Sequence, residues 1–246
     1  MTPPRILRQL PSLAAEALIV VGAYVAYSAL RVVVEGDDTR AFEHALDLVA
    51  VEQTLGFFHE VWLQQAVDGQ PWLAVALQWI YLHAYLPVLV VSGLVIYLRD
   101  RQLYRLYRNT MFVSAALGLL IFAALPVAPP RMLPEYGFHD PLHSAFTATS
   151  AAKNDFAAIP SFHFGFTMLA ALGVAHALGF RRWQVAGLSL VPMIMLLSIV
   201  ATANHYFLDA IVGGLVVMSV WSVVVARAER VEPVAAGRAL GERQRL

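Results

Sequence analysis

The sequence predicts an all-α membrane protein: six transmembrane helices, with interfacial amphipathic helices after the first span. Three observations carry that expectation. Of 246 residues, 59% are hydrophobic and 14% charged, against about 45–50% and about 25% in a soluble domain. Six segments are apolar over close to the ~20 residues that a helix needs to cross a bilayer. One further stretch, 39–69, has helical periodicity but is too polar to span.

The first apolar segment, 13–34, lacks a small-residue cleavage site and reads as a retained helix rather than a signal peptide. In 39–69, Phe42, Ala45, Leu46 and Val49 recur at helical spacing, with Glu43, His44 and Asp47 on the other side. Gly56 divides this stretch into two short helices, expected on the membrane surface, where they fold over the site or serve as a solvated connector. The remaining spans fall at 72–98, 110–126, 161–180, 183–203 and 205–227, separated by punctuation such as Gly179-Phe180-Arg181-Arg182. Residues 1–230 therefore form a single membrane domain, with 126–160 as an outer loop at the active site and 231–246 as a polar cytoplasmic tail.

Net charge is zero, from 17 basic and 17 acidic residues. The distribution is more informative than the total, because cytoplasmic loops are rich in Lys and Arg. With the N-terminus inside, 13 of the 17 basic residues fall on the inner side, and only Arg31, Arg40, Arg131 and Lys153 on the outer. Both termini are then cytoplasmic, and the 126–160 loop lies outside, in the plasma membrane. No nucleic-acid partner is expected. There is no cysteine, which excludes disulfides, thiolate catalysis and cysteine-ligated metals.

Three short motifs fall at the same end of successive spans: Ala128-Pro129-Pro130-Arg131, Pro160-Ser161-Phe162-His163 and Asn204-His205-Tyr206-Phe207-Leu208-Asp209. Ionisable residues near the hydrocarbon zone are costly and mark function by default. His205 and Asp209, four residues apart, lie on one helix face. The carboxylate can accept from Nδ1–H and leave Nε2 free as a nucleophile; a structural pair bracing a helix end fits the same spacing. Ser161 suits a helix N-cap, and the helix start above it favours an anion. His163, in the first turn, can serve as a proton donor. Arg131 offers a planar fork for phosphate oxygens, or snorkels to the interface. Lys153 offers a second positive charge. Catalysis is thus expected from His205, His163 and Asp209, and phosphate binding from Arg131, Ser161 and Lys153. A zinc ion on His163, His205 and Asp209 is the minority alternative; with Arg131 supplying charge, no metal or cofactor is expected. His83, within a span, suits either a site lining or an interhelical hydrogen bond. His139, His143 and His176 receive no role.

At these motifs the chain resembles the type 2 phosphatidic acid phosphatase superfamily. That family has a basic motif ending in Arg-Pro, a Pro-Ser-Gly-His motif, and a Ser-Arg motif leading to His-x-x-x-Asp. Residues 160–163 match the second, with Phe162 in place of glycine. His205 and Asp209 match the end of the third; Ser198 fits its start, but Ile199 stands at the arginine position. These departures resemble the branch containing fungal inositol phosphorylceramide synthase. The resemblance covers residues 100–226. It implies a six-helix fold, metal-independent chemistry and a phosphohistidine on His205, with Asp209 orienting it, His163 acting as acid then base, and Arg131 gripping phosphate. The expected partners are a membrane lipid phosphate donor and water or an inositol-like acceptor. The competing reading is a polytopic transporter or proton relay built on buried His and Asp; its usual signatures, mid-membrane polar residues and inverted repeats, are not evident here. A non-catalytic scaffold would not need these four residues together.

Overall fold

The computed structural model describes residues 10–34, 36–142 and 154–243. Lys153 and His143 lie outside these residues. The chain runs through α1 (Leu10–Val33), α2 (Asp38–Leu55), α3 (Glu60–Asp68), α4 (Pro71–Trp79), a π-helical turn (Ile80–Ala84), α5 (Tyr85–Arg99) and α6 (Arg101–Ala124). After a loop with two 3₁₀ turns come α7 (Phe162–Leu178), α8 (Arg182–Leu188), α9 (Leu190–Ala201) and α10 (Phe207–Arg243). Among the described residues the only strand-like pairing is an isolated bridge between Val127 and Ala157.

Among the described residues, five helices are long and apolar enough to cross a membrane: Leu13–Val33, Pro71–Arg99, Arg101–Ala124, Arg182–Ala201 and Phe207–Arg230. Their outward faces carry large apolar side chains, including Leu18, Val90, Leu120 and Leu215. In water such a surface would aggregate; in lipid it is the solvated face. The fourth expected span, 161–180, corresponds to α7, which has only 17 residues. It packs against α5, α6, α9 and α10, so neighbouring helices rather than lipid cover most of it. Close approach to α10 depends on glycine. A Cβ at Gly165 would lie 2.8 Å from the Gly213 carbonyl, and one at Gly213 would collide with the Ser161 backbone. Small residues at such crossings let membrane helices touch backbone to backbone.

Several boundaries differ from the sequence reading. The third span begins at Arg101 rather than near residue 110. Asp100 caps it by accepting from the Gln102 and Leu103 amides, each at 2.9 Å. Its basic residues find local partners: Arg101 sits over the Tyr97 ring and Arg108 pairs with Glu16. The fifth span is two helices, parted at Ser189. The last helix continues to Arg243.

Gly56 ends α2 with φ 76°, the left-handed conformation that glycine adopts without strain. The buried stripe of α2 is Ala41, Ala45, Leu48, Val49 and Glu52, whereas Phe42 and Leu46 face outward. The protein-facing side is thus rotated from the apolar stripe read in the sequence. It packs on Val127, Ala128 and Tyr206, and Ala41 accepts a backbone bond from Ala128 at 3.0 Å. Helices α2 and α3 thereby close one end of the bundle, over the segments that carry all three motifs.

Candidate active site

The turn between α9 and α10 sets His205. Ala203 adopts φ 52°, and the Asn204 and His205 amides both return to the Ile199 carbonyl, at 3.0 and 3.2 Å. His205 is buried. Its Nδ1 lies 2.9 Å from the Ala158 carbonyl and 3.3 Å from Asp209 Oδ2. A carbonyl oxygen can only accept, so Nδ1 carries the hydrogen and Nε2 is the ring's acceptor atom. The nearer partner is therefore backbone, and Asp209 contributes the longer branch of a shared bond. Asp209 is fully buried, and the same Oδ2 accepts from the Tyr206 amide at 2.9 Å.

His163 faces this group from the first turn of α7, with ring centres 5.6 Å apart. Tyr85 and Tyr81 flank its ring at 4.4 and 5.1 Å. Both tyrosines border or lie in the π-helical turn, a distortion often found at functional positions; aromatic residues inside an apolar run gave no signal of this in the sequence. Ser161 sits at the N-cap position, but its side chain makes no cap bond. Its amide donates to the Asp209 carbonyl at 2.9 Å, and its hydroxyl is buried with no partner among the described residues. The helices carrying His163 and Asp209 are thus tied at their starts.

Phe162 occupies the position where the resemblance has glycine. Its ring stacks on Phe166 at 4.7 Å and lies where a Cβ on Gly118 would be. The larger residue is accommodated by removing side chain from the facing helix.

Arg131 joins the turn through Asn204, donating from Nη1 at 2.8 Å, and its amide bonds the Ala203 carbonyl, also at 2.8 Å. Its Nη2 reaches Asp155 at 3.2 Å, and its Nε lies 4.0 Å from Asp140. Two carboxylates therefore already attend this guanidinium, which the sequence could not foresee. Ser198 is structural: its hydroxyl bonds the Leu77 carbonyl at 2.7 Å. Ile199 is buried in apolar contacts. The His83 ring lies tilted against Trp79 at 5.5 Å, and His139 lies 3.4 Å from Asp68. Among the described residues no three His, Asp or Glu side chains converge as metal ligands.

The class of protein follows from these features: an integral membrane helical bundle with a His, Asp and Arg cluster at one end. The chain belongs to the PAP2 superfamily, whose profile matches residues 46–223. Members of that superfamily are generally phosphatases or phosphotransferases. The match contains all three motifs and does not single out the inositol phosphorylceramide synthase branch. No curated protein and no solved structure matches the chain.

Two further acidic residues complete the site. Glu52 accepts from the Leu208 amide at 2.7 Å and Glu60 from the Phe207 amide at 3.0 Å. Both side chains are fully buried, and they satisfy the first amides of α10, the helix that carries Asp209. Their outer Oε2 atoms have no donor if both groups are ionised. A proton carried by Glu52 and donated to Glu60 satisfies both. Burial, the hydrogen bond to Glu60, the Glu60 charge and, more weakly, Asp209 together push Glu52 from the usual 4.5 up to about 9.

The sign of the resulting pH dependence is fixed. The folded protein keeps a proton that the unfolded chain releases above about 4.5, so this stabilisation is complete below that pH and is lost as pH rises toward about 9. Denaturation in detergent should show stability falling across that window. Glu52→Gln keeps the amide-accepting oxygen without the titration and should flatten the fall. An unchanged slope in the variant would place the pH dependence in other groups.

Proposed function

We propose that this protein is a membrane lipid phosphatase or phosphotransferase that works through a phosphohistidine on His205. The observation that carries the reading is the fixed His205 ring, with Nδ1–H held by Ala158 and Asp209 and Nε2 left as its basic atom, facing His163. In the first step Nε2 forms a P–N bond as the ester P–O bond breaks. The proton on His163 passes to the leaving alcohol oxygen, and positive charge developing on His205 is balanced by Asp209. In the second step neutral His163 takes a proton from the acceptor, water or an inositol-like alcohol. The acceptor oxygen attacks phosphorus, the P–N bond breaks, and both histidines return to their starting states. Arg131, Ser161 and Lys153 are the proposed phosphate-binding groups, and no metal takes part. An inositol-like acceptor is favoured by the branch resemblance of the motifs.

Placement in the membrane belongs to the same proposal. Six crossings, α7 included, with α2 and α3 at the interface, put both termini in the cytoplasm and the site on the outer face of the plasma membrane. The asymmetry of basic residues supports this orientation. An impermeant thiol reagent should reach a cysteine replacing exposed Glu135 in intact cells, and one replacing exposed Gln102 only after permeabilisation. The opposite pattern would invert the topology and move the site to the cytoplasmic face.

Rapid-quench labelling separates the two histidines. His205→Ala should yield neither turnover nor trapped phosphoenzyme. General acid–base assistance is typically worth roughly 10²–10⁴-fold, but a nitrophenyl leaving group hardly needs a proton. His163→Ala should therefore still form phosphoenzyme from nitrophenyl phosphate and discharge it slowly. Asp209→Asn should stay folded and lose much of the rate. Label accumulating in His205→Ala but not in His163→Ala would swap the roles, and wild-type turnover in all three would place the catalytic site elsewhere.

A further inference from the structure

Arg31, in the last turn of α1, lies outside the region matched by the superfamily profile. It is nevertheless joined to the segment that positions His205. The Asn154 side-chain amide donates to the Arg31 carbonyl at 2.9 Å, and Arg31 Nη2 donates to the Asn154 carbonyl at 3.4 Å. Asn154 Oδ1 in turn accepts from the Phe156 amide at 2.9 Å, and the Phe156 carbonyl from the Val127 amide at 2.8 Å. Two residues further on, Ala158 holds His205. The end of α1 is therefore hydrogen-bonded to the same short strand-like segment that fixes the nucleophile's tautomer.

Arg31 is half-buried, and its Nε is turned away from solvent. That nitrogen has no hydrogen-bond partner among the described residues, and no described carboxylate lies within ion-pair distance of the guanidinium. An arginine that merely snorkels would place its donors in water or among headgroups. Even half-buried, a cation with no counter-charge among the described residues is costly to desolvate. Arg131 differs, since Asp155 and Asp140 already attend it. The charge of Arg31 also acts on both histidines and on Tyr81 and Tyr85, which flank His163.

We propose that Arg31 binds a non-bridging oxygen of the phosphoryl group at His205, making it a second substrate-binding arginine, contributed by the first helix. This rests on the proposed phosphoryl-transfer reading of the His205–His163 site. Arg31 supplies full positive charge where Arg131 is largely compensated, while Arg131 orients the Asn204–His205 turn. With Ile199 apolar and buried, α9 offers no cation for this purpose, and α1 does.

Orthovanadate inhibition of nitrophenyl phosphate turnover, measured on the purified full-length protein, tests the assignment. Arg31→Gln should weaken vanadate binding by about tenfold or more, the scale of a lost hydrogen bond to a charged group, and raise KM more than it lowers kcat. Arg31→Lys should restore part of the affinity, because it keeps the charge but not the fork. Vanadate affinity in Arg31→Gln within about twofold of wild type would overturn the assignment. Should the variants fail to fold, the unaltered protein decides the matter: vanadate should protect Arg31 from phenylglyoxal, read by peptide mass spectrometry, and modification at the same rate with and without vanadate would overturn it. His205→Ala separates this inference from the reading beneath it. If that variant turns over normally, the whole site is wrong; if it is dead while Arg31 is neither protected nor needed, only the role of Arg31 falls.

Discussion

The bond from His205 Nδ1 to the Ala158 carbonyl, 2.9 Å long, organises the rest of the site. It selects one tautomer and leaves Nε2 as the ring's acceptor atom. The bond forms only if the 154–158 segment is held beside the α9–α10 turn. Asn154, Val127 and the Ser161–Asp209 backbone bond hold it there. Asp209 is then a second acceptor at longer range, 3.3 Å from Nδ1. A helix-borne His–Asp pair alone would leave the ring free to choose between partners.

Placing such a cluster at the end of an apolar bundle means burying polar groups where water cannot satisfy them. Helices α2 and α3 resolve this without crossing the bundle. They contribute Glu52 and Glu60 to the first amides of α10, and Gln64, which exchanges hydrogen bonds with the backbone of His139. A single proton shared between the two glutamates keeps the net charge beneath Asp209 low. Helix α2 also covers the Arg131 loop through Ala41, so the cap of the bundle and the framework of the site are one piece of structure.

Much of this was legible in the sequence because it rests on short-range pattern. Apolar length located five of the six expected spans, and spacing placed His205 with Asp209 and His163 at a helix start. What escaped was long-range or had an ambiguous periodicity. In α2, Phe42 and Leu46 formed as good a stripe as Ala41, Ala45 and Leu48, since lipid-facing and protein-facing surfaces are both apolar. The one usable signal was Glu52, an ionisable residue three positions beyond Val49, on the stripe that proved to be buried. In the sequence Arg31 counts only as one of the basic residues on the outer side, because its partner, Asn154, lies 123 residues away. The two carboxylates on Arg131 were hidden for the same reason: nothing local to Pro129-Pro130-Arg131 announces Asp140 or Asp155.

If Nε2 of His205 is the nucleophile because Nδ1 is held by backbone, the position of phosphorus on the ring will show it. The phosphoenzyme should be trapped with nitrophenyl phosphate, digested at alkaline pH, and its phosphohistidine isomer assigned by ³¹P NMR and mass spectrometry. The expected product is the Nε2-linked isomer on His205. An Nδ1-linked isomer, or phosphate on His163, would contradict it.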